Sequence, residues 1–158
     1  MIRQPIETDT YVKGFFGKYR PLSNYDLTPF KLEYMGKTVN FKSGEHAFHY
    51  FKTLDPIWQE KILEAETPSE AKVLGRKCLM REDWDEVKVQ IIENMVYLKF
   101  SQNKNLKDLL LSTGEKYLEE TNDWNDKFWG VCNGVGENNL GKCLMRVREQ
   151  LKSEGGRD

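Results

Sequence analysis

The sequence predicts an α+β fold, mostly helical, with a small N-terminal β-hairpin and about six helices in a single compact domain. Three observations predict it. The stretch FKLEY-MG-KTVNF alternates apolar and polar residues on either side of Met35-Gly36, the period of two half-buried strands around a tight turn. From Gly44 onward the apolar spacing becomes three and four, the period of a helix. Helix-start residues then recur ahead of the apolar runs, at Asp55, Thr67, Asp83 and Asn103.

The elements follow in order. Residues 1–29 alternate short apolar pieces with turn formers, and residues 14–16 read as a short strand before a loop. The hairpin comes next. The first helix spans about 44–53. Asp55 caps a second helix with Pro56 at its first position. Thr67-Pro68-Ser69-Glu70 is a capping box that opens a helix to about 79. Asp83, with Glu86 three later, opens the longest helix, about 84–101, with Val87, Ile91, Met95 and Leu98 as its apolar stripe. Asn103 caps a short helix carrying Leu106, Leu109 and Leu110 and ended by Gly114. Residues 117–120 read as a strand and 121–137 as irregular chain. A last helix, about 138–152, turns Leu140, Leu144, Val147 and Leu151 inward, and the tail KSEGGRD reads as frayed.

The totals exclude several classes. With 158 residues the chain has the size of one domain, with its core at about 14–151. Lys+Arg number 24 against Asp+Glu 25, so no single-sign field advertises nucleic acid or a membrane surface. MIRQPIETDT lacks the apolar run of a signal peptide, and no segment is long enough to cross a bilayer. Three widely spaced cysteines, Cys78, Cys132 and Cys143, argue for reduced thiols and a cytoplasmic location. No CxxC pair supports zinc, and no motif calls for a cofactor.

Four stretches can carry chemistry. In KSGEHAFHYFK, the residues Glu45, Phe48, His49 and Lys52 share one helical face. Glu45 lies in the first turn, where the helix dipole favours negative charge. That placement suits ordinary dipole complementation, and it equally suits a catalytic base or electrostatic stabiliser. His46 and His49 could share a metal with Glu45, but EHAFH is not HExxH and no third ligand stands at helical spacing. His49 reads instead as a packed residue or a substrate contact. In NDWNDKFWG, Trp124 and Trp129 flank Asp126 on a loop; they either cradle a planar ring or plug the loop onto the core. In GVGENNLG, glycines precede a helix with Asn138 near its cap, a weak phosphate-site pattern that turn geometry also explains. In AKVLGRKCL, Lys72 and Arg76 are one helical turn apart; they form a solvated basic face, bind phosphate or, for Lys72, supply a nucleophile.

The order of the pieces is more specific than any one of them. LSNYDLTPF, GKTVNFKSGEHAFHYFK, SEAKVLGR, Trp84 with Val87-Lys88, LKFSQNKNLKDLLLSTG and NDKFWGVCNGVGENNLGKCLMRVREQL run from about Gly14 to Leu151. This series resembles the NADAR superfamily, which includes the YbiA-like N-glycosidases. The resemblance implies a mostly helical domain with a few short strands. It also implies hydrolysis of an N-glycosidic bond between a ribose-type sugar and a base or amine. The implied substrate is a small phosphorylated nucleotide-like molecule, such as an intermediate of riboflavin synthesis. The alternatives are ADP-ribosyl-guanine in nucleic acid, or ADP-ribose bound without cleavage. The family's functional positions fall on Glu45, Trp84 and Asp126, with Trp129 and Asn24 as pocket residues. Lys72 and Arg76 are candidates for the phosphate, and a Schiff-base role for Lys72 stays open. In many members two glycines follow FWG; here Val131 and Cys132 stand nearby in FWGVCNGVG.

Overall fold

The computed structural model describes residues 3–155. The chain opens with strands β1 (Ile6–Glu7) and β2 (Tyr11–Lys13) and a 3₁₀ helix at Gly17–Leu22. The hairpin strands β3 (Phe30–Tyr34) and β4 (Lys37–Phe41) follow. Then come helices α1 (Gly44–Lys52), α2 (Pro56–Glu64), α3 (Pro68–Lys77), α4 (Trp84–Gln102) and α5 (Lys104–Ser112). Strands β5 (Tyr117–Glu119), β6 (Thr121–Asn122) and β7 (Val131–Cys132) precede the last helix, α6 (Asn139–Gly155). The fold is therefore α+β and mostly helical, as the sequence predicts. By its internal contacts the chain divides into two compact units, residues 24–102 and the remainder.

The 24–102 unit is built on the hairpin and four helices. Tyr34 pairs with Lys37 across Met35-Gly36, and both loop residues have positive φ (51° and 78°). That is the twist a two-residue hairpin loop requires, and glycine adopts it freely. Phe41 carries the inner face of β4 onto α1, with ring centroids 5.4 Å from Phe30 and 5.3 Å from Tyr50. Ala47, Phe51, Ile62, Ala71, Trp84 and Met95 complete this core. Its helices start where the sequence places them. Ser43 Oγ accepts the His46 N–H, Asp55 accepts from Ile57, and Thr67 accepts from Glu70. Each such cap satisfies an amide that has no partner inside the helix and is worth about 1 kcal/mol.

The other unit carries the sheet β1-β2-β5, antiparallel at β1–β2 and parallel at β2–β5. Glu7 ties β1 down: Tyr19 Oη and Lys116 Nζ donate to its carboxylate, and these bonds hold it at about 2, well below the usual carboxylate range. Leu140, Leu144, Val147 and Leu151 of α6 are all buried, as their spacing predicts.

Four expectations need correction. The strand expected at 14–16 is β2, Tyr11–Lys13, preceded by β1, because Gly14 leaves the extended run with φ +94°. Two short strands, β6 and β7, pair in parallel inside the stretch read as irregular, and Val131-Cys132 are β7 itself. Helix α4 buries Trp84, Ile92, Val96 and Phe100 beside Met95, while Val87, Ile91 and Leu98 are only partly covered. Its apolar residues wrap most of the helix, so choosing one stripe by period undercounts what is buried. Finally, α6 begins at Asn139, because Asn138 has φ +56°, and it continues through Lys152 to Gly155. The rest of the tail, 156–158, lies outside the described residues.

Candidate functional site

In the 24–102 unit, the start of α1 places the first carboxylate. The chain enters the helix under Asn24, whose carbonyl accepts the Glu45 N–H at 2.9 Å. Asn24 covers Gly44 so closely that a Cβ there would come within 2.7 Å of its Oδ1. A glycine at the first helical position is what lets the Asn24 segment lie on the helix end. The Asn24 carboxamide itself is half-buried and makes no hydrogen bond among the described residues.

Glu45 is 13% exposed at its side chain. One of its oxygens, Oε1, accepts from His49 Nε2 at 2.9 Å. No bond to Oε2 exists among the described residues. His49, read from sequence as a packed, hydrogen-bonded residue or a substrate contact, is only 3% exposed and bonded to Glu45, which fits the packed reading. Phe48 stands edge-on between His49 and Trp84, with centroids 4.9 Å and 5.2 Å away. Trp84 is buried at the start of α4, so in this unit it backs the Phe48 ring.

His46 does something different. Its Nε2 meets the Ala65 carbonyl at 2.9 Å, which can only accept, so this nitrogen carries the proton. Its Nδ1 meets Ser43 Oγ at 2.6 Å. Burial pushes the imidazole below its ordinary value. With both nitrogens used inside the fold, His46 is not available to share a metal with His49.

Helix α3 supplies the cations. Lys72 is half-buried, with its ammonium 5.7 Å from the Tyr25 ring centre, a cation–π distance. Arg76 is exposed one helical turn further on.

The second carboxylate belongs to the other unit. Asp126 Oδ1 accepts the N–H of Phe128 at 3.2 Å and of Trp129 at 2.9 Å. No bond to Oδ2 exists among the described residues. Behind it, the fully buried Asn122 accepts the Asp126 N–H at 3.0 Å and donates to the Asp126 carbonyl at 2.8 Å. Sequence reasoning missed Asn122, whose only signal is its place four residues ahead of the aspartate. Trp129 is half-buried and perpendicular to Phe128 at 4.9 Å, whereas Trp124 is 48% exposed and meets Phe16 edge-on at 6.4 Å.

The helix end proposed for phosphate is closed. The carbonyls of Lys127, Phe128, Trp129 and Gly130 accept the N–H groups of Glu137, Asn139, Leu140 and Asn138 at 2.8, 3.1, 3.0 and 3.2 Å. The first amides of α6 therefore fasten the Asp126 loop. Asn138 is a staple too: its Nδ2 donates to the Leu118 carbonyl and Tyr117 Oη, and its Oδ1 accepts the Glu120 N–H. Both of its donors are spent inside the protein, which makes its part structural.

Comparison with known proteins bears on the chain as a whole. The NADAR domain family model matches residues 11–152. N-glycosidase YbiA of Shigella boydii serotype 4 is 37% identical over 156 residues, covering 96% of this chain and 94% of that protein. A riboflavin biosynthesis protein of Vibrio vulnificus is 40% identical over 113 residues, covering 70% of this chain and 30% of that longer protein. The NMR structure of Escherichia coli YbiA superposes with a TM-score of 0.84 at 34% identity, over 97% of this chain and 91% of the other. Matched along nearly its whole length, the chain belongs to the NADAR domain family.

Proposed function

We propose that this chain hydrolyses the N-glycosidic bond between a phosphorylated ribose and a base or amine, with Glu45 and Asp126 as its working carboxylates. The reaction class follows its full-length relatives, which are named N-glycosidases. The observation that carries the residue assignment is the same at both acids. Each has one oxygen fixed by the fold, Glu45 through His49 and Asp126 through two backbone amides, and the other without a bond among the described residues.

The chemistry asks for that arrangement. Water adds to the anomeric carbon as the C–N bond breaks. The bonding pair leaves with nitrogen, which takes up a proton, and a water proton passes to a carboxylate. The sugar is cation-like at the barrier, so a fixed carboxylate stabilises it without reorganising. Glu45 faces this charge or orients the water. Asp126 acts as general base or anchors a ribose hydroxyl. Asn24, whose carboxamide makes no hydrogen bond among the described residues, and Trp129 are substrate contacts, while Trp84 braces the Glu45 helix through Phe48. Lys72 and Arg76 receive the phosphate. Riboflavin biosynthesis in the name of the Vibrio relative supports a pyrimidine-type ribosylamine phosphate as the substrate. No helix among the described residues is long and apolar enough to cross a membrane; a cytoplasmic setting is proposed on the three free thiols, Cys78, Cys132 and Cys143.

The test is mass spectrometry of parallel incubations with a phosphorylated ribosylamino-pyrimidine and with DNA carrying ADP-ribosyl-guanine. Ribose 5-phosphate appears in the first, and Glu45→Gln lowers its rate by about 100-fold or more. Release of ADP-ribose in the second alone moves the substrate to nucleic acid. Ligand returned intact from both makes the chain a binder, and near-full turnover by Glu45→Gln overturns the assignment of that residue.

A further inference from the structure

His49 is placed oddly for a substrate contact. It is 3% exposed, and its Nε2 lies 2.9 Å from Glu45 Oε1. Its other ring nitrogen, Nδ1, is buried with no hydrogen-bond partner among the described residues. That orphan atom faces Gly75 of α3, where a Cβ would stand 2.0 Å from Nδ1 and 2.4 Å from Cγ. On another side the Phe48 ring meets the imidazole edge-on. A buried nitrogen without a partner costs free energy, so a fold that leaves one there gains by placing the ring elsewhere unless its position is enforced. Gly75 enforces it, because α3 closes onto the imidazole where any side chain would push it away.

The tautomer follows. A carboxylate accepts only, so the proton shared with Glu45 sits on Nε2. In the neutral ring Nδ1 is then a bare lone pair against the Gly75 backbone, the less costly way to leave that atom orphaned. The ring is held on one side and donates on the other.

We propose that His49 is a positioning residue for Glu45, and that Gly75 is the part of α3 that sets it. His49 fixes Oε1, and thereby the carboxyl plane, so that Oε2 is the oxygen presented to the sugar. The inference rests on Glu45 being a reacting carboxylate. It assigns His49 no contact with substrate.

Three variants test it on the ribosylamino-pyrimidine substrate. His49→Leu removes the donor at similar volume, His49→Gln restores an N–H at the same spacing, and Glu45→Gln is the reference. His49→Leu lowers kcat by about 10- to 100-fold. Its KM stays within about threefold, because only the reacting group has moved. His49→Gln recovers most of the loss. Full turnover by His49→Leu beside a slow Glu45→Gln overturns the inference and leaves the role of Glu45 standing. So does a His49→Gln as slow as His49→Leu at equal Tm, which makes the ring structural. A fast Glu45→Gln removes both. Nitrogen-15 spectra of the imidazole decide the clamp without any substrate. A proton on Nε2 whose signal moves in Glu45→Ala supports it; a proton on Nδ1 overturns it.

Discussion

Gly75→Ala sets two known effects against each other. Alanine is the better helix former, by about 1 kcal/mol in a helix interior. Were the site open, the substitution would stabilise the protein by that amount. The new Cβ, however, would meet His49 at 2.0 Å from Nδ1, 2.4 Å from Cγ and 2.9 Å from Cβ. These are atoms of a rigid ring close to the α1 backbone, not the end of a flexible chain. Relief requires α1 and α3 to part or the ring to leave its rotamer. Such overpacking costs about 1–3 kcal/mol, so the clash outweighs the propensity gain by up to about 2 kcal/mol. At this chain length each kcal/mol moves Tm by about 2–4 °C. The expected result is a Tm lower by a few degrees, read by circular dichroism. Gly155→Ala is the control: Gly155 is helical with nothing among the described residues within 4 Å of a Cβ, so Tm stays or rises slightly. A Gly75→Ala protein that melts higher than wild type refutes the close approach, and with it the argument that α3 sets His49.

Two further outcomes follow from the same geometry. Asp126→Asn keeps an oxygen for the Phe128 and Trp129 amides, so its urea midpoint stays near wild type while turnover falls by about 100-fold; Asp126→Ala loses about 1 kcal/mol more by dropping both bonds. Asp126→Asn at wild-type rate makes that residue a turn former only. His46 gives the pH dependence. Its folded value lies below the ordinary 6.5 because of burial, so below that pH the unfolded chain takes up a proton that the folded chain refuses. Stability therefore falls as pH drops from 7.5 to 5.5, and His46→Gln flattens the slope of urea midpoint against pH. An unchanged slope in His46→Gln refutes the attribution.

What could be read in the sequence is what is local. The hairpin rests on Met35-Gly36 and its flanking alternation, and two helix starts rest on Asp55 and Thr67, each bonding an amide two or three residues on. Glu45 and His49 were legible as neighbours because four residues make one helical turn. The rest depends on partners far along the chain. Strand β2 is placed by β5, its parallel partner, and no local pattern at Tyr11–Lys13 announces that pairing. GVGENNLG looks like an anion loop because glycines before a helix usually leave amides free, yet here four carbonyls from 127–130 consume them. Asn138 looks like a ligand for the same reason, and Leu118, Tyr117 and Glu120 claim it. For His49 the sequence leaves a packed residue or a substrate contact open, and only the approach of Gly75 from α3 decides for packing.

The two acids proposed as working carboxylates share a local logic. A carboxylate that must oppose a transient cation works best when it does not have to turn toward it. Glu45 is held by the residue one turn on, and Asp126 by amides two and three residues on with Asn122 behind it. Both clamps are thus closed within a few residues of the acid they hold. A core substitution elsewhere, such as Leu144→Ala, lowers the population of folded protein by creating a cavity and leaves these local bonds in place. Gly75 is the exception, since it reaches the Glu45 clamp from another helix. Under the role proposed for Glu45, substitution at Gly75 is expected to lower stability and turnover together.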